Sequence, residues 1–190
     1  MRIGSALKFA FIFLLLGIKE IHAQNIGDMF GGISYIQTSI KDESSTNLGT
    51  FKPTVVGIGL SYVLMDNMAL DASLFDGVSD SSITRTGIGT VTVKIKNGYS
   101  LGFRPFIAFN ESLGGYAKLG RQYGTQTKVV KRSVFETTTD STYARTVYGL
   151  GISYIINPKW GVSSEYMWSK KGDYETNKNS SVGVSLRYKF

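Results

Sequence analysis

Val56-Gly57-Ile58-Gly59-Leu60-Ser61-Tyr62 decides the fold. In an extended chain successive side chains point to opposite faces, so Val56, Ile58, Leu60 and Tyr62 share one face. Gly57, Gly59 and Ser61 share the other. A helix would scatter the four apolar residues around its circumference. The same pattern returns 92 residues later as Tyr148-Gly149-Leu150-Gly151-Ile152-Ser153-Tyr154. The match continues without a gap, residues 63–70 aligning with 155–162. A strand, a tight turn and the next strand therefore occur twice, as one hairpin used twice in a closed sheet would.

Working outward from these anchors predicts eight strands: about 28–37, 51–64, 68–75, a stretch within 91–108, then 113–123, 143–156, 160–168 and 180–190. The connections alternate in length. Residues 65–67, 110–112 and 157–159 are short turns, whereas 41–50, 76–90, 124–142 and 169–179 are long and polar. This is the pattern of an all-β, eight-stranded antiparallel up-and-down barrel whose two ends face different surroundings.

Period 2 alone does not say which face is inside. A soluble barrel of lipocalin shape would turn Ile58, Leu60, Leu150 and Ile152 inward, and a membrane barrel turns them outward. The second face decides between them. It carries glycine, serine and alanine with a few charges of both signs: Asp71, Arg104, Lys118, Glu165 and Arg187. An eight-stranded barrel has an interior just wide enough for side chains. Small residues make room there, and charges must pair to offset desolvation. The expectation is an interior network of these five residues and a transmembrane barrel. Tyr62, Phe103, Tyr154, Trp160 and Tyr188 fall near the short-turn end of the apolar face, Tyr166 and Trp168 near the long-loop end. Two aromatic belts of this kind mark the interfaces of a bilayer.

The 190 residues include no cysteine, which excludes a disulfide framework, a thiolate metal site, a cysteine nucleophile and a lipoprotein anchor. Charged residues are 18%, below the roughly 25% of soluble domains. The start of the chain differs from the rest. Arg2 and Lys8 precede the unbroken apolar run 9–18, and Ala23 follows shortly after. This reads as a secretory signal peptide, residues 1–23, cut after Ala23. The run is about half the roughly 20 residues a spanning helix needs. Residues 24–190 then form the barrel domain, with a net charge of +5 out of the original +7.

His22, the only histidine, leaves with that leader. A general base near neutral pH is normally histidine, so no Ser-His-Asp arrangement is available to the barrel. Asp71 and Glu165 could form a carboxylate pair, but cations to pair with lie on the same face. Gly87-Ile88-Gly89 reads as turn glycines, since no helix follows to make a phosphate-binding loop. No cofactor and no metal site are expected. The basic stretch Lys128, Lys131 and Arg132 suggests contact with anionic sugars or lipid phosphates, and nucleic acid is a poor partner for an exported protein.

Val182, Val184, Leu186, Tyr188 and Phe190 stand at every second position up to the last residue. At these residues, and over the hairpin 100–120, the sequence resembles the small outer-membrane β-barrels of the OmpA/OmpX type. The resemblance implies a Gram-negative outer-membrane location with both termini in the periplasm. It further implies that Leu186, Tyr188 and Phe190 act as a closing-strand signal for the barrel-assembly machinery. Nothing follows Phe190 that matches a peptidoglycan-binding domain, so wall anchoring by that route is not implied. The expected function is non-enzymatic: envelope stabilisation and surface interaction through four long extracellular loops. Expected contacts are outer-membrane lipid or lipopolysaccharide and a host or matrix ligand. A passive small-solute pore and a secreted soluble ligand-binding barrel are the alternatives.

Overall fold

The computed structural model describes residues 25–42, 48–132, 135–169 and 177–190. The expected signal peptide lies outside the described residues, as do 43–47, 133–134 and 170–176 within the long connections. Ten strands form one antiparallel sheet: β1 Met29–Asp42, β2 Thr50–Phe51, β3 Thr54–Met65, β4 Met68–Ser79, β5 Ser81–Arg85, β6 Gly89–Ala108, β7 Leu113–Lys131, β8 Glu136–Ile155, β9 Trp160–Ser169 and β10 Asn177–Lys189. Eight of them are bonded in a ring, in the order β1, β3, β4, β6, β7, β8, β9, β10. The ring closes through β10 and β1, in register from Phe30 opposite Lys189 to Asp42 opposite Asn177. The eight-stranded barrel is thus as expected, and β2 and β5 are additions to it.

Two of the short turns share a local device. The Asn110 side-chain oxygen accepts from the amides of Ser112 and Leu113 at 2.9 and 2.8 Å. Asn157 does the same for Lys159 and Trp160 at 3.0 and 2.9 Å. An asparagine that satisfies backbone donors two and three residues on reverses the chain in few residues.

At the other end the strands run further than the sequence suggests. Residues 76–90 and 124–142, expected as polar loops, are largely sheet. β4 reaches Ser79, β5 pairs with the start of β6, and β7 and β8 continue to Lys131 and from Glu136. Gly87 and Gly89, with φ of +80° and +94°, make the β5–β6 turn, a left-handed backbone that glycine adopts without steric cost. The expected second strand is divided at Lys52-Pro53, because proline gives no N–H to the ladder. Its carbonyl still accepts from Thr38 at 2.9 Å.

The two faces are sorted as the membrane reading requires. Ile33, Ile58, Leu74 and Ile152 are 60%, 60%, 59% and 57% exposed on the outer wall, and Leu60 and Leu150 point the same way. The soluble lipocalin-like alternative needs Ile58, Leu60, Leu150 and Ile152 inside, and they are outside. Beyond the long-loop rim the sorting reverses. Ile40, Leu48, Phe51, Val55, Phe75, Val91, Val93 and Ile95 are buried together inside the extended sheet.

Candidate functional site

Three features of the barrel carry functional information: the polar lumen, the aromatic belts and the extension at the long-loop end.

In the lumen, Ser61 (β3), Asp71 (β4), Arg104 (β6), Tyr116 (β7), Glu165 (β9) and Arg187 (β10) form a chain across the barrel. Arg187 Nη2 donates to the Ser61 hydroxyl, and that hydroxyl donates to Asp71 Oδ1. Arg104 Nε lies 3.7 Å from Asp71 Oδ1, and its guanidinium lies 5.3 Å from the centre of the Tyr116 ring. The Tyr116 hydroxyl donates to Glu165 Oε2 at 3.4 Å. Arg104 is 3% exposed. Serine pairs extend the polar interior: Ser73 with Ser100 at 2.7 Å and Ser163 with Ser185 at 2.6 Å.

Four of the five expected interior residues are therefore brought together: Asp71, Arg104, Glu165 and Arg187. Lys118 stands on the same lumenal face of β7, opposite Gly149. It has no hydrogen bond or ion pair among the described residues. Ser61 and Tyr116 were not expected in the network. Their signal was their parity on the strand, which puts them on the charged face. Room for the long side chains comes from Gly102 and Gly120, paired across β6 and β7. A Cβ on either would lie within 2.9 Å of the other's Cα.

The aromatics gather at both ends. At the short-turn end Trp160 meets Tyr188 edge-on, with ring centres 4.9 Å apart, and Tyr188 meets Phe190 at 5.6 Å. The Phe190 amide donates to Met29 O at 3.0 Å, so Tyr188 and Phe190 sit at the seam beside β1. Leu186 faces outward one step further in, and Tyr62 and Tyr154 lie near their own short turns. At the long-loop end Trp168 stacks on Tyr148 at 6.3 Å and leans on Tyr166 at 5.9 Å. Tyr99 stacks on Tyr123 at 5.0 Å. Phe103 departs from the expected position: Ile107 and Phe109 come between it and the short turn, which places it in the apolar wall.

Above the rim the β5–β6 and β7–β8 hairpins lie side by side. Thr90 pairs with Lys131, and Arg85 with Gly89. Arg132 Nε donates to Ile88 O at 3.3 Å. Arg85, Lys131 and Arg132 are thereby brought to one tip. Lys128 lies further down, opposite Val93, on the face opposite to that of Lys131. The basic stretch is split between two faces, and Arg85, distant in sequence, joins part of it. On the outer face Asp140 accepts from Lys96 Nζ at 2.7 Å and from the Thr127 hydroxyl at 2.6 Å. The Lys96 bond first, then the Thr127 bond, hold the Asp140 carboxyl below the usual carboxylate range.

Comparison with known proteins agrees with this geometry. Residues 11–190 match the family described as outer membrane protein beta-barrel domain. No curated protein sequence matches the chain. Among solved structures it resembles Ail, the attachment invasion locus protein of Yersinia pestis: TM-score 0.60, 16% identity, 87% of this chain and 100% of that one. Ail is also known in complex with the heparin analogue sucrose octasulfate. OprG of Pseudomonas aeruginosa gives a TM-score of 0.58 at 16% identity, over 90% and 99% of the two chains. Neisserial surface protein A gives 0.56 at 11%, over 85% and 97%. At these identities the likeness is one of fold.

Proposed function

The chain belongs to the outer membrane protein β-barrel domain family, and from that premise we propose that it is a non-enzymatic surface protein which stabilises the envelope and binds anionic polysaccharide. In this reading residues 1–23 are an export signal, both termini lie in the periplasm and the long-loop end faces the cell exterior. Leu186, Tyr188 and Phe190 present the closing strand to the assembly machinery.

The apolar core above the rim carries the proposal. A loop that only joins strands has no need to bury Ile40, Phe51, Val91 and Ile95 together. A cored extension holds its outer surface in fixed shape, which lowers the ordering cost of binding a partner. Its tip carries Arg85, Lys131 and Arg132. Guanidinium groups suit phosphate and sulfate because they donate in a planar fork. Lipopolysaccharide phosphates and sulfated matrix sugars both offer such groups, and Ail's complex with a sulfated sugar adds support by analogy of fold.

The lumen weighs against a passive pore, since the chain from Arg187 to Glu165 crosses it from β10 to β9 by way of β6 and β7. The absence of histidine after residue 22 weighs against hydrolytic or acyl-transfer chemistry. Refolded protein in lipid vesicles should bind immobilised heparin, and the variant R85Q/K131Q/R132Q should lose at least tenfold in affinity. Equal binding by both would overturn the polysaccharide reading. Ohmic steps from the unaltered protein in planar bilayers would overturn the closed-lumen reading.

A further inference from the structure

We propose that the barrel holds a small monovalent anion, of the size of chloride, nitrate or formate, on Arg145 in a cavity beneath the rim. Arg145 lies on β8 and is 4% exposed. Its Nε donates to Gln122 Oε1 at 2.9 Å, and its guanidinium lies over the Tyr143 ring, 3.9 Å from the centre. Among the described residues no carboxylate comes within the 4.0 Å of an ion pair. Arg104, also deeply buried, does have one in Asp71. A buried cation without a counter-charge carries a large desolvation cost, and paired charge is how proteins offset it.

The rest of the guanidinium points to what completes it. Arginine has five N–H donors, and only Nε is used. The two Nη groups are bonded to nothing among the described residues, and Arg145 lines a cavity of about 30 Å³. That is roughly twice the space one water requires, so the guest is small. Facing the same cavity are Ser169 and Asn179, whose Oγ and Oδ1 are buried and without hydrogen-bond partners among the described residues. Thr38, Ser180 and Ser181 complete its polar side. The serine and threonine hydroxyls can each donate to an anion, and a half-turn of the Asn179 amide presents Nδ2 in place of Oδ1. Ile36, Val55, Phe75, Ile95 and Val147 close the other side, and an apolar wall strengthens the attraction between guanidinium and anion. A forked donor opposite several hydroxyls, in a space too small for a sugar ring, selects charge and size together.

The test uses the full chain refolded in detergent, unfolded by urea, with chloride exchanged for bulky gluconate at constant ionic strength. Chloride should raise the urea midpoint along a saturating curve, since a ligand that binds only the folded state stabilises it. R145Q should weaken the apparent chloride affinity at least tenfold, and K94Q on the outer surface should leave it unchanged. Equal midpoints in the two salts, or a saturating curve retained by R145Q, would overturn the site. Should R145Q not refold, crystals of the unaltered protein soaked in bromide decide the matter. Anomalous density beside the Arg145 guanidinium supports the proposal, and density at surface lysines alone overturns it.

Discussion

Asp71 Oδ1 stands 3.7 Å from Arg104 Nε on the neighbouring strand, with both side chains enclosed by the barrel. Asp71 also accepts from Ser61, which in turn accepts from Arg187. One carboxylate therefore serves two buried guanidinium groups. Removing it leaves both without compensation, whereas removing a charge of each sign does not.

D71N should destabilise the barrel by about 3–5 kcal/mol, the range for breaking a buried ion pair on one side. The double variant D71N/R104Q should recover part of that loss, because adjacent charges couple. Urea midpoints of the refolded proteins in micelles measure both. A double variant as unstable as the sum of its singles would contradict the network.

The outer wall makes a separate claim. Ile58→Arg should cost about 2–4 kcal/mol, the range for a cation near the middle of the lipid-facing surface of a barrel. Ser79→Arg, at the exposed end of β4, should cost less than about 0.5 kcal/mol. Folding into vesicles, followed by tryptophan emission, compares the two. Equal effects would mean that the exposed isoleucines do not face lipid.

Ile40 is 2% exposed inside the extension. Ile40→Ala should cost about 2–5 kcal/mol through the cavity it leaves. The loss should be local: limited proteolysis should cut the β5–β6 or β7–β8 hairpin while the barrel keeps its heat-modifiable migration on gels. Unchanged protease resistance would show that the apolar cluster does not hold the extension.

Asp140 gives the pH dependence. Its folded pKa lies below the ordinary value, so its contribution to stability is present above the unfolded pKa of about 3.9 and disappears as pH falls through the lower folded value. The β7–β8 hairpin should therefore keep its amide protection at pH 5 and lose some of it only in stronger acid. Because Lys96 is the largest cause of the depression, K96M should move the Asp140 titration upward, as followed by carboxyl carbon NMR. An unchanged titration would exclude the Lys96 contact in solution.

The barrel was legible in the sequence because parity in a strand is strict. Val56 to Tyr62 and Tyr148 to Tyr154 each state an outer and an inner face, and once the small face is inside, Asp71, Arg104, Glu165 and Arg187 follow. The extension was not legible, because the rule that identified the wall changes sign there. Above the rim water lies outside, so Val91, Val93 and Ile95 turn inward and Thr90, Thr92 and Lys94 turn outward. Read as one continuous membrane strand, Val91, Val93, Ile95, Tyr99, Leu101 and Phe103 would share the outer face, but the irregularity between Ile95 and Gly98 turns the first three inward. In 76–90 and 124–142 the serines, threonines and lysines, taken by composition, suggest loops. Arg145 was missed for another reason: nothing in Ala144-Arg145-Thr146 says that no carboxylate will arrive opposite it.

Phe30 and Lys189, about 160 positions apart, face each other across the seam, where the Phe190 amide bonds to Met29 O. The ring therefore has no part that is complete by itself. With any stave missing, two rows of backbone amides and carbonyls lie bare, and hydrocarbon offers them no substitute for their partners. Closing so long a loop is slow, and its entropic cost comes before the contacts that offset it. The ring is thus complete only when its last strand docks. A substitution at the seam should register mainly in how many molecules reach the finished ring, while those that do reach it differ little from the unaltered protein.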